Sequence, residues 1–223
     1  MLKVFVPRYD SPTNDNARLA NDVFPNAPRH LVLGNDATRE SLHALIAETN
    51  TTAILVMAHG DKDCVLGQGG EVALSIADLH KNVSGVLSVP VFAWVCRTSQ
   101  EIGQVFHRLA KPGGAWWGYR TTVSAPSPRQ IQAFREVLRY IESGFHKVHN
   151  EKAAADFFRG LKQLCDHHYV LVVRSMSVSG DFRDAHEVAV GLREAWAHLD
   201  AMLPALPQPF HAGIKLDAVL DGV

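Results

Sequence analysis

Two short polar clusters, each directly after an apolar run, hold the residues best suited to covalent chemistry: His59-Gly60-Asp61 and Cys96-Arg97-Thr98-Ser99. An imidazole beside a thiol can take the thiol proton, and the thiolate then attacks a carbonyl carbon. Gly60 has no side chain to block a substrate, so its N–H is the candidate donor to the developing oxyanion. Asp61 and its neighbour Asp63 could attract a basic substrate side chain, and Arg97 and Arg120 an acidic one; as loop charges, all four also read as solvated. Free cysteine is among the most buried residue types, and a histidine ending a strand also serves as a hydrogen-bonded core residue. What distinguishes the pair is the position that both occupy.

The runs Thr52–Ala58 and Val89–Val95 are apolar at every position, the pattern of strands buried on both faces of a parallel sheet. Lys3–Pro7, Arg29–Leu33, Gly113–Tyr119 and His168–Met176 read as four further strands, giving six. Helical spacing predicts helices over Ser11–Phe24, from Asp36 or Thr38 to Glu48, from Ser75, and over Ser99–Leu109, Pro128–Ser143, Glu151–Cys165 and His186–Leu203. The Gly-punctuated stretch Cys64–Leu74 reads as a β-hairpin, and residues 204–223 as an extended tail. Strand alternation sends Trp116 and Trp117 to opposite faces, one into the core and one to the surface. With no internal repeat or low-complexity linker, the chain reads as one α/β domain with a six-stranded, mostly parallel sheet. Ligands bind outside the carboxyl ends of such strands, and consecutive strands are usually neighbours. His59 and Cys96 are therefore expected side by side, with Cys96 near a helix N-terminus that favours its thiolate.

The 223 residues are 47% hydrophobic and 20% charged, which excludes disordered, collagen-like and coiled-coil classes. A formal net charge of −1, with no run of like charges, gives no electrostatic case for nucleic acid or an anionic membrane. Three cysteines without a CxxC pair exclude a disulfide framework and a Cys-rich zinc site. The first residues lack a signal-peptide pattern and no apolar stretch is long enough to span a bilayer, so a cytoplasmic protein is expected. No metal or cofactor is expected either. His146-x-x-His149 and His167-His168 lack a third ligand, Gly67–Gly70 lacks the Lys-Ser/Thr of a phosphate loop, and no Gly-x-Ser-x-Gly elbow occurs.

The segment Ile54–Asp61, the hairpin leading into Leu74-Ser75-Ile76-Ala77-Asp78-Leu79, and Val91–Thr98 together resemble the caspase-like cysteine peptidases. Within them the likeness is to the CHAT group, relatives of separases and caspases, and it covers residues 50 to 165. The resemblance implies a three-layer sandwich with helices on both sheet faces and a Cys/His dyad acting on protein substrates, His59 as proton acceptor and Cys96 as nucleophile. Likeness to separases and metacaspases points to a basic residue before the cleaved bond. Val95 stands where that group has a small residue, the Gln-Ala-Cys-Arg-Gly signature of caspases is absent, and His59 and Cys96 are 37 residues apart, against about 50 in caspases. The chain carries no receptor repeats, so a separate protein partner or self-association is expected to order the Cys64–Leu74 hairpin and complete the cleft. Two other functions compete: a non-catalytic interaction or regulatory module on the same fold, and a chelatase-like metal or tetrapyrrole enzyme suggested by Ala58-His59-Gly60.

Overall fold

The first apolar run forms β1 (Leu2–Val6), and Asp10 then stops the extended chain and starts α1 (Ser11–Val23). Asp10 accepts from the Thr13 N–H while the Thr13 hydroxyl accepts from the Asp10 N–H, a capping box strengthened by Pro12 in the first turn. β2 (Leu31–Leu33) and α2 (Arg39–Ala47) follow, the helix capped by Thr38. β3 (Ala53–Met57) leads into a small antiparallel sheet of β4 (Gly60–Asp61), β5 (Cys64–Leu66) and β6 (Val72–Ser75), from which the short α3 (Ile76–His80) emerges through a Ser75–Asp78 capping box. Next come β7 (Pro90–Trp94), α4 (Glu101–Leu109) and β8 (Ala115–Tyr119). Three helices, α5 (Ile131–Gly144), α6 (Glu151–Ser179) and α7 (Phe182–Ala197), precede the closing strands β9 (Leu199–Met202) and β10 (Phe210–His211). This computed structural model describes residues 1–24, 31–126, 130–179 and 182–213.

The main sheet has seven strands in the order β10-β9-β8-β7-β3-β1-β2. β1, β2, β3, β7 and β8 are parallel, β9 runs antiparallel to β8, and β10 antiparallel to β9. Alternate residues of the central strands feed two cores. Leu55, Met57, Phe92, Trp94 and Trp117 pack with α1, α5, α6 and α7, whereas Ile54, Val56, Val91, Ala93 and Trp116 pack with α2, α3, α4 and the small sheet. Three layers result, with helices on both faces of a mostly parallel sheet. Each fully buried Phe or Leu stabilises this arrangement by about 1.5–3 kcal/mol.

Several expectations are corrected. His168–Met176 is not a strand but the continuation of α6. Its β-branched residues each cost a helix only about 0.5 kcal/mol, and no Gly or Pro interrupts the turn before them. The sixth and seventh strands are instead β9 and β10: the last helix ends at Ala197, not Leu203, and the predicted extended tail contributes β10. Trp116 and Trp117 do point to opposite faces, but both are fully buried because helices cover both. Arg29, His30, Pro128, Arg129 and residues 214–223, which fall within predicted elements, lie outside the described residues.

Candidate functional site

β3 and β7 are adjacent and parallel, in the register Ile54↔Val91 through Met57↔Trp94. The Ala58 N–H donates to the Trp94 carbonyl (3.4 Å), the last bond of that ladder. His59 follows β3 by two residues and Cys96 follows β7 by two, so the register leaves both at the same end of adjacent strands. Both line one open cleft of about 480 Å³, walled by the first turns of α1 and by residues 122–125, with Trp94 and Ala58 among its lining. The strand order reverses between β1 and β3, one strand going to each side, and the cleft lies at the carboxyl ends there, where open α/β sheets bind ligands.

His59 donates through Nε2 to Asp10 Oδ2 at 2.7 Å, with the Tyr9 ring 5.9 Å from the imidazole. Burial pushes the Asp10 carboxyl up, but hydrogen bonds from Thr13 and His59 outweigh it and hold the group below its ordinary value. A charged Asp10 on Nε2 fixes the tautomer that leaves Nδ1 free as a base. Asp10 escaped the sequence reading, although an acid capping a helix at the end of β1 was visible there. The Cys96 thiol is half-buried and donates to the Val123 carbonyl (3.7 Å) rather than to His59.

Cys96 is not at a helix N-terminus. A turn over residues 96–100 intervenes before α4 begins at Glu101. Within that turn Arg97 adopts a left-handed backbone (φ 59°), a conformation uncommon for a residue with a side chain. Gly60 pairs with Val65 in the small sheet, and a Cβ on it would lie 2.4 Å from Val95 Cγ1. Packing alone thus requires glycine at that place.

Of the candidate substrate-binding charges, Asp61 and Arg97 face each other at 3.6 Å, both more than half exposed, a pair worth about 0–1 kcal/mol. Arg120 lies outside the cleft lining and pairs with buried Asp200 instead (3.1 Å). A second hollow of about 370 Å³, between α6 and α7, borders Cys165, whose thiol is pushed up to about 12 by burial. Among the described residues no three His, Cys, Asp or Glu side chains are grouped to hold a metal ion, and no helix is long and apolar enough to cross a membrane. No protein-family model matches the chain, and no curated protein is significantly similar to it. Fold and cleft together define an α/β protein with a mostly parallel seven-stranded sheet and a His/Cys pair at its central strand ends.

Proposed function

We propose that the protein is a cysteine endopeptidase in which His59, held by Asp10, activates Cys96. The observation that carries this reading is the β3–β7 register, which brings the imidazole and thiol into one cleft while Asp10 occupies Nε2 of His59. The resemblance of the His-Gly and Cys-x-Thr segments to caspase-like peptidases supports it. In the reaction, the Cys96 thiol turns from the Val123 carbonyl and gives its proton to His59 Nδ1. Sγ then bonds to the substrate carbonyl carbon, and the carbonyl oxygen takes the negative charge, with the Gly60 N–H as candidate donor. The C–N bond breaks as His59 returns the proton to the leaving amine. Water, deprotonated by His59, cleaves the thioester and restores the thiol.

Peptidyl acyloxymethyl ketones carrying Arg, Lys, Asp, Asn or Leu next to the warhead test this reading, with intact mass as the readout. One adduct on Cys96 that disappears in His59→Ala is the expected result. Absence of an adduct, with and without candidate partners, would leave the second reading, a non-catalytic interaction module. That reading is favoured by the thiol's hydrogen bond to Val123, which holds its proton away from the imidazole. Partner gating belongs to the proposal as well, and full activity of the isolated chain would remove it.

A further inference from the structure

Asp200, in β9, is 1% exposed and joins four elements. Its Oδ2 accepts from the Ser99 hydroxyl (2.8 Å), three residues after Cys96. Its Oδ1 accepts from His211 Nδ1–H in β10 (2.7 Å) and lies 3.1 Å from the Arg120 guanidinium at the exit of β8. Burial pushes this carboxyl up, and the contacts from His211, Arg120 and Ser99 only partly oppose it. A carboxyl so buried is tolerated only with donors and opposite charge around it, and here the two donors, Ser99 and His211, and the cation, Arg120, belong to different segments.

The turn over residues 96–100 closes on itself through the Gln100 N–H to the Arg97 carbonyl (3.0 Å) and the Thr98 hydroxyl to the Val95 carbonyl (3.1 Å), and further bonds hold it from outside. The Arg97 N–H reaches the Thr121 carbonyl (3.0 Å), the Ser99 N–H the Tyr119 carbonyl (3.1 Å), and the Gln100 amide the Arg120 carbonyl (2.7 Å). These tie the turn to β8 and its exit. Ser99 to Asp200 is the bond that ties it to the closing strands, and Ser99 is itself 1% exposed.

We propose that Asp200 is a positioning residue that seats the turn carrying Cys96 and, through His211, makes that seating depend on the docking of β10. Its catalytic consequence rests on the peptidase reading; the seating itself does not. β10 is the edge strand, two residues long, and its register pairs His211 directly with Asp200. Whatever lifts β10 from the edge takes a donor from Asp200, leaves Ser99 a less fixed partner, and so reaches Cys96 without entering the cleft.

Hydrogen–deuterium exchange on the full chain tests the seating, comparing wild type with Ser99→Ala, His211→Ala and His211→Gln. Amides of residues 97–103 should exchange about tenfold faster in Ser99→Ala and His211→Ala. The β1 and β3 amides should not change, and His211→Gln, whose amide can donate to the same carboxylate, should restore protection. Ser99→Ala, which deletes one hydroxyl, carries the test if His211→Ala does not fold. Unchanged protection of 97–103 in the folded variants overturns the proposal. On the same samples, the pH profile of Cys96 alkylation should lose its His59-dependent part in Ser99→Ala. If His59→Ala leaves the wild-type profile unaltered, the dyad reading fails while the exchange result still decides the seating.

Discussion

Gly60 and Val95 occupy what is nearly one volume, and the energetic consequence can be worked out. A Cβ on Gly60 would sit 2.4 Å from Val95 Cγ1 and 2.5 Å from the Cys64 carbonyl oxygen, where ordinary contact begins at 3.4 Å. Val95 is fully buried, and Cys64 is pinned between β4 and β6, so neither neighbour withdraws cheaply. Gly60→Ala should therefore destabilise by about 2–3 kcal/mol, the upper part of the overpacking range. Val95→Ala deletes two buried methyl groups and should cost about 1.5–2.5 kcal/mol in transfer and cavity terms. In the double variant the Val95 clash is gone and the new methyl fills part of the space, while the Cys64 contact persists. Its cost should fall below the sum of the single costs by about 1 kcal/mol or more. Urea unfolding at constant m-value measures all three. Costs that add to within about 0.5 kcal/mol would refute the coupling and with it the packing reason for glycine after His59.

Asp10→Ala should lose the α1 cap, costing about 1 kcal/mol, whereas Asp10→Asn keeps a good cap and loses only the charge facing His59. Both should slow Cys96 alkylation near neutral pH, and wild-type reactivity in a stable Asp10→Asn protein would remove Asp10 from the site. In the folded chain Cys96 and Cys64 should label with iodoacetamide while Cys165, 1% exposed and with its thiol near 12, labels only on unfolding, as read by peptide mass. Asp10 and Asp78 lie below their ordinary values, so in mild acid the folded state binds fewer protons than the unfolded one. Their stabilisation is present above the ordinary carboxylate range and is lost as pH falls through their folded values; burial of Asp200, whose value is raised, acts with the opposite sign. Urea unfolding from about pH 6 to pH 3 should accordingly show a shallower loss in Asp78→Asn than in wild type.

The centre of the molecule was legible because its strands declare themselves. Runs such as Ala53–Met57 and Pro90–Trp94 are apolar throughout, and that pattern, with the neighbour rule for consecutive strands, was enough to place His59 and Cys96 at adjacent ends. The periphery was not legible by the same means. Val170, Leu171 and Val173 look like strand residues, yet they stand 41–45% exposed on the far half of a 29-residue helix, where continuation is cheaper than a new element. β9 is four residues long beside a 16-residue helix, too short for its alternation to register. Asp10 escaped the reading both as the cap of α1 and as the partner of His59. Its second role depends on β1 lying next to β3, a juxtaposition that residues 49 positions apart do not announce. That Asp61 and Asp200 stand opposite Arg97 and Arg120, which read either as solvated loop charges or as ligand-binding ones, is likewise something spacing does not reveal.

The sheet is completed out of sequence. β8 ends at Tyr119, and its next neighbour, β9, begins eighty residues later, beyond three helices. At translation rates of 5–20 residues per second, that interval is about 4–16 s of synthesis. Throughout it the edge of β8, with Trp116 and Trp117, has no strand beside it, and Ser99 has no Asp200. A nascent chain therefore carries both His59 and Cys96 well before it contains Asp200, the partner of Ser99 in the turn that begins at Cys96.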